Sequence, residues 1–119
     1  MTTFKNRIKI CSSLNAFVLM IDTEFENAFI RENFVGKYWL GALRYPESHN
    51  FMKINKSEYV RFTNWRKGEP NNYLQNEYCI ETEKGEWNDL SCYEKRFGIC
   101  EKPIGIGVTV WTEWRISNC

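Results

Sequence analysis

The sequence lacks a long apolar segment. Its longest apolar run, Ala16 to Ile21, is six residues, against the roughly 20 a helix needs to cross a bilayer, so membrane insertion is not expected. It lacks an excess of either charge: 16 Lys and Arg face 15 Asp and Glu, a net +1. That removes the strongly basic footprint of a nucleic-acid binder. Histidine occurs once, at His49, outside any G-x-S-x-G or H-E-x-x-H context, so no catalytic residue is expected. Close cysteine pairs are also missing: the five cysteines are separated by 67, 12, 7 and 18 residues. A zinc site usually needs a tight turn that presents two sulfurs to one ion, so this spacing disfavours zinc. No apolar leader core precedes Cys11, and no internal repeat or low-complexity stretch occurs.

What is present is one domain's worth of chain, 119 residues, with 43% hydrophobic and 26% charged residues, an ordinary globular balance. Aromatics reach 16%, with five Trp. The cysteines are Cys11, Cys79, Cys92, Cys100 and Cys119, an odd count in a small chain. Buried free thiols are one reading. Disulfides are favoured, because a small domain with few long apolar segments gains most from cross-links, and they imply an oxidising, extracellular setting. Spacing alone leaves their connectivity open.

The order of patterns is helical first and extended later. Thr2 to Leu14 reads as a helix, with Phe4, Ile8 and Cys11 on one side and Asn15 as its stop. Ala16 to Ile21 reads as a short buried run. Thr23 and Glu26 form a T-x-x-E capping box opening a second helix, which should end near Phe34, before Gly36. Tyr38 to Leu43 reads as a buried strand, and Phe51, Ile54, Tyr59 and Phe62 suggest further short strands. Asn64 to Gln75 is a polar loop rich in turn formers. Tyr78 to Glu83 and Arg96 to Glu101 read as late strands. The fold class is α+β.

The loop region gathers oxygen donors. Glu69-Pro70-Asn71 is followed by Glu77, and Trp87-Asn88-Asp89 stands before Cys92. Three carboxylates and two amide carbonyls suit calcium, which takes about six to eight oxygens. There is no EF-hand spacing, so such a site would be assembled from separate loops. A cis bond before Pro70 would fit this loop. The bland reading is that Asp, Glu and Asn are simply common in loops.

In order along the chain, these residues resemble a C-type lectin-like domain, from about Phe4 to Lys102. The resemblance rests on Cys11 with Ala16, Val18 and Ile21, on Glu26 and Phe29, and on Trp39-Leu40-Gly41. It continues through Phe62-Thr63-Asn64-Trp65, Glu69-Pro70-Asn71, Trp87-Asn88-Asp89, Cys79, Cys92 and Cys100. It implies disulfides Cys11–Cys100 and Cys79–Cys92. It also implies one calcium held by Glu69, Asn71, Glu77, Asn88 and Asp89, which together bind carbohydrate. Two neighbouring equatorial sugar hydroxyls would complete the shell, donating to Glu69 or Glu77 and accepting from Asn71 or Asn88. The Glu-Pro-Asn order goes with mannose, fucose and N-acetylglucosamine, and galactose with a Gln-Pro-Asp order that this chain lacks. The auxiliary calcium of the family would fall at Arg44, Ser48, Asn72 and Tyr78, none of them acidic, so it is expected to be absent. The rival function is a lectin-like scaffold that binds a protein partner without sugar.

The sequence also departs from the family. The family opens with a strand that pairs with the last strand near Ile99 to Glu101, whereas here Met1 stands where the first helix begins. The expectation is a chain shortened by its signal peptide and first strand, with a sheet edge left unpaired. Residues 103–119 form a tail outside the domain of residues 1–102. The tail holds Trp111-Thr112-Glu113-Trp114 and a terminal Cys119 available to link two chains. Asn55-Lys56-Ser57 is a glycosylation sequon at Asn55.

Overall fold

The computed structural model describes residues 1–45, 50–105 and 108–113. Helix α1, Phe4–Ser13, is opened by Thr3, whose hydroxyl accepts from the Asn6 N–H. Asn15 takes a positive φ of 56° directly after the helix. Helix α2, Glu24–Asn33, starts as the T-x-x-E pattern expects: Thr23 Oγ1 accepts from Glu26 N–H at 3.1 Å. Glu26 Oε1 reaches back one residue beyond the cap to the Asp22 N–H at 2.8 Å, so the Thr23 hydroxyl satisfies one amide that the helix leaves orphaned and the carboxylate holds the incoming chain.

Strands β1 (Phe17–Val18), β2 (Tyr38–Leu40), β3 (Ala42–Arg44), β4 (Phe51–Lys53), β5 (Cys79–Glu83), β6 (Glu86–Leu90), β7 (Ile99–Gly105) and β8 (Val108–Glu113) make three antiparallel sheets. Their orders are β1-β7-β8, β2-β5-β6 and β3-β4. The fold is α+β, two helices with small antiparallel sheets.

Tyr38 to Leu43 is not one strand. Gly41 divides it, and the two halves join different sheets. The cause is close backbone approach: a Cβ at Gly41 would lie 2.5 Å from the Val18 carbonyl oxygen, and Gly41 N–H donates to Leu19 O at 2.7 Å. The run Ala16 to Ile21 is buried except for Phe17, which is 44% exposed.

β2 is buried on both faces. Tyr38 and Leu40 enter a core with Leu19, Met20, Ile21, Ile30, Ile80 and Trp87. Trp39, pointing the other way, packs with Phe4, Cys11, Val18, Cys79, Leu90 and Cys100. Period-two alternation thus feeds two cores from one strand. The structure forms Cys11–Cys100 and Cys79–Cys92, and all these cysteines belong to or border the second core.

β5 and β6 turn tightly. Glu83 pairs with Glu86, leaving a two-residue loop in which Lys84 and Gly85 both have positive φ, 55° and 81°. That conformation matches the twist of a hairpin, and glycine adopts it without cost. Asn27 on α2 holds the turn: its Nδ2 donates to Gly85 O at 2.9 Å while its Oδ1 accepts from Trp87 Nε1 at 3.1 Å. Asn64 Nδ2 donates to the same Gly85 carbonyl.

The unpaired sheet edge expected at Ile99 to Glu101 is not found. β1 lies on one side of these residues and β8 on the other, with Ile99 opposite Glu113, Cys100 opposite Thr112 and Glu101 opposite Trp111. The last strand therefore runs past residue 102 and folds back as a hairpin, which supplies the hydrogen bonds that an open edge would lack. Arg96 and Phe97 are not in the strand; they make isolated bridges to Thr2 and Tyr38. Trp114 and Cys119, and with Cys119 any link between chains, lie outside the described residues.

Candidate functional site

The site forms where the polar loop returns to the β5–β6 hairpin. The loop is pinned at its start, since Trp87 N–H donates to Asn64 O at 2.9 Å and Arg66 N–H to Trp87 O at 2.8 Å. Trp65 packs edge-on against Trp87 with ring centroids 5.8 Å apart. Glu69 N–H then donates to Arg66 O, and the Glu69–Pro70 peptide bond is cis. Trp87-Asn88-Asp89 lies on strand β6, not in a loop. Tryptophan, asparagine and aspartate give no simple alternation, so the strand was invisible to pattern.

Carboxylate oxygens of Glu69, Glu77 and Asp89 come within 4.8 Å of one another. Asp89 is fully buried and organises the loop. Its Oδ1 accepts from Asn71 N–H at 3.1 Å, and its Oδ2 from Asn72 N–H at 2.7 Å and from Arg44 Nη2 at 2.5 Å. Glu77 Oε1 accepts from Tyr73 N–H at 3.0 Å. Asn71 Oδ1 accepts from the same N–H at 3.2 Å. Glu69 Oε1 is buried and accepts no hydrogen bond from the described residues. A buried carboxylate oxygen without a donor costs free energy, and a cation is the natural remedy.

The fifth residue, Asn88, faces Glu81 across the ladder. Its Nδ2 donates to Glu81 Oε2 at 2.8 Å, and Glu81 Oε1 accepts from Arg96 Nε at 2.5 Å. One amide N–H is thus committed, which fixes the side chain and leaves its second N–H and Oδ1 for the cleft. Asn88 lines an open cleft of about 290 Å³ with Glu77, Tyr73 and Arg96. Arg44, Glu81 and Arg96 were not singled out from sequence as parts of the site. A signal existed for Arg44, which shares the inward parity of β3 with buried Ala42.

Electrostatics follow from this crowding. Burial first, then the adjacent Asp89 carboxylate, hold Glu69 above the usual carboxylate range, against a smaller opposing pull from Arg66. Glu77 is also raised, by burial first and then by Asp89 and Glu69, while the Tyr73 N–H opposes. Each carboxyl is therefore harder to ionise here than in water.

Of the four auxiliary positions, Arg44 carries a guanidinium against Asp89. Asn72 Oδ1 accepts from Glu77 N–H, and Tyr78 donates its hydroxyl to Gln75 O. Ser48 lies outside the described residues. Asn55 of the sequon sits in the turn that follows β4, half-buried, with its Oδ1 buried and unbonded among the described residues.

Comparison with known proteins gives the family. The chain is 28% identical over 111 residues to cattle E-selectin (Bos taurus), covering 86% of this chain and 23% of that protein. It is 38% identical over 76 residues to C-type lectin lectoxin-Lio1 of Erythrolamprus poecilogyrus, covering 60% of this chain and 46% of that protein. The chain thus spans less than half the length of these curated relatives. The mouse scavenger receptor C-type lectin carbohydrate-recognition domain superposes with a TM-score of 0.78 at 25% identity, covering 85% of this chain and 80% of that one. The model of the lectin C-type domain matches residues 2–102. The chain belongs to the C-type lectin domain family.

Proposed function

We propose that this chain is a calcium-dependent carbohydrate-binding module that takes mannose-type sugars through two neighbouring equatorial hydroxyls. One observation carries the reading: three carboxylates converge within 4.8 Å, and Glu69 Oε1 among them is buried without a donor. Glu69, Asn71, Glu77, Asn88 and Asp89 would hold the ion. All five offer oxygen, the donor type calcium takes. Bound calcium would supply a hard cation to which sugar hydroxyls are also drawn. The chain's own part is to fix those hydroxyls. Glu69 and Glu77 accept their protons, and the amides of Asn71 and Asn88 donate to their oxygens. Two such hydroxyls give an affinity on the order of millimolar, so useful binding needs several copies together. The likeness to the carbohydrate-recognition domain of the mouse scavenger receptor C-type lectin supports this reading. The two disulfides support an extracellular setting.

The second reading, a calcium-free scaffold for a protein partner, is favoured by one fact: Asp89 already holds a buried counter-charge, Arg44. Calorimetric titration separates the two. We expect one calcium per chain, then mannose binding that chelator abolishes and galactose does not reproduce. Glu69→Gln with Asn71→Asp should move preference toward galactose. No calcium uptake would leave the scaffold reading standing.

The raised Glu69 and Glu77 set a pH dependence. In chelator, their contribution to stability is complete below the ordinary carboxylate pKa of 4.5 and is lost as pH rises through the raised values. Calcium needs the anions, so its affinity has the opposite slope and should fall on acidification earlier than ordinary carboxylates would require. Calcium affinity measured against pH checks this; a profile flat down to pH 4.5 would remove Glu69 and Glu77 from the ligand set.

A further inference from the structure

Arg44 stands where β3 meets the carboxylate cluster, and its role goes beyond neutral packing. Its backbone N–H donates to Tyr78 O at 2.9 Å, which fixes the residue beside the start of β5. Its guanidinium lies 4.6 Å from the centroid of the Phe51 ring. Nη2 donates to Asp89 Oδ2 at 2.5 Å and to the Glu77 carbonyl at 3.0 Å. The Arg44 and Asp89 side chains are 6% and 0% exposed. Asp89 Oδ2 also accepts from Asn72 N–H, and Asn72 Oδ1 accepts from Glu77 N–H. The bonds therefore close a ring: Arg44 to Asp89, Asp89 to Asn72, Asn72 to Glu77, and Glu77 back to Arg44. A second arginine near the cluster, Arg66, approaches Glu69 only to 3.6 Å and is half exposed, and Arg96 pairs with Glu81.

We propose that Arg44 is a positioning residue. It is a cation fixed in the fold that holds Asp89, the Asn71–Asn72 turn and Glu77 in their ligand-holding arrangement before any metal arrives. The proposal rests on the calcium reading above for its functional meaning, though not for its geometry. Two effects oppose each other. A nearby positive charge repels calcium, which would make Arg44 a competitor. Against that, three converging carboxylates repel one another and would open the loop, and a buried carboxylate stripped of its partner is strongly destabilised. Three hydrogen bonds to one buried anion, tied to Glu77 by two more, favour the second effect, and loss of such outer partners typically weakens a metal site by roughly 10–100-fold.

The test uses the full oxidised chain. Amide hydrogen exchange is read at Asn71, Asn72 and Glu77 in chelator, for the wild type and Arg44→Gln, with Ile80 and Trp87 on the hairpin as folding controls. Calcium affinity is then followed by tryptophan fluorescence. The proposal expects these three amides to be protected in the wild type without calcium. In Arg44→Gln they should exchange at least about tenfold faster while the hairpin amides hold, and calcium should bind roughly 10–100-fold more weakly. Arg44→Lys keeps the charge, but its shorter side chain ends short of the Nη2 position that makes both contacts, so it should recover only part of the affinity. Wild-type amides exchanging at open-chain rates in chelator would overturn the proposal, as would unchanged exchange or tighter calcium binding in Arg44→Gln. If Arg44→Gln does not fold, the wild-type exchange and Arg44→Lys decide in the same way. A wild type that binds no calcium would defeat the calcium reading alone, while exchange at Asn71 and Asn72 would still decide whether Arg44 holds the turn.

Discussion

Asp89→Asn should abolish calcium and sugar binding and also destabilise the calcium-free protein by about 3–5 kcal/mol. The two losses have different origins. The first follows because Asp89 is one of three converging carboxylates and, as a proposed direct ligand, its loss should exceed the roughly 10–100-fold typical of outer partners. The second follows because Arg44, with its side chain 6% exposed, would keep its charge without its counter-charge. Denaturant melts in chelator read the second effect, and calorimetry reads the first. Pairing Asp89→Leu with Arg44→Met separates them further, since replacing a buried ion pair by apolar residues is often neutral. That double variant should recover stability but not calcium. An Asp89→Asn protein with wild-type stability and intact calcium binding would end both the ion-pair and the ligand assignments.

Removing the Cys11–Cys100 disulfide should cost more stability than any other single cross-link change in the described residues. The bridge spans 89 residues, and closing so long a loop restricts the unfolded chain by roughly 4–5 kcal/mol in the entropy model. Cys79–Cys92 spans 13 and should contribute roughly 3 kcal/mol. The functional ranking is the reverse. Cys79 and Cys92 bracket the hairpin that carries Asn88 and Asp89, whereas Cys11–Cys100 ties α1 to the β7 sheet. We therefore expect the Cys11→Ala, Cys100→Ala protein to melt far lower yet bind calcium normally when cold. The Cys79→Ala, Cys92→Ala protein should melt less low and bind calcium weakly. Equal melting of the two variants would contradict the loop-length argument.

Much of the fold was legible because local chemistry agreed with the final packing. The Thr23–Glu26 box opened α2 where its pattern said, and the resemblance's disulfide pairing is the one the structure forms. The β5–β6 turn was harder: Lys84-Gly85 is a weaker hairpin signal than Asn-Gly, and its conformation depends on buried Asn27 from a distant helix. The split at Gly41 needed the Val18 carbonyl, a long-range neighbour no local window contains. The site was legible as residue types and not as an electrostatic system. Arg44 read only as a missing acid, because the same position can hold either an anion for a second metal or a cation against the first site's aspartate. Only the 2.5 Å approach to Asp89 separates those cases. Likewise Glu81 and Arg96 gained meaning once the ladder set Glu81 opposite Asn88.

The Lys84-Gly85 turn also acts as a gauge. It sets which residue of β6 stands opposite which residue of β5, with Asp89 beside Ile80 and Asn88 beside Glu81. Side chains alternate faces along a strand, so a shift of one residue would carry every β6 side chain to the other face. Asp89 would leave its buried place and Trp87 would leave the core. An insertion or deletion at the far end of the hairpin, remote from any ligand, would therefore be felt as a change of chemistry at the site. The Cys79–Cys92 bridge, which clamps the opposite end, guards that alignment as much as it guards stability.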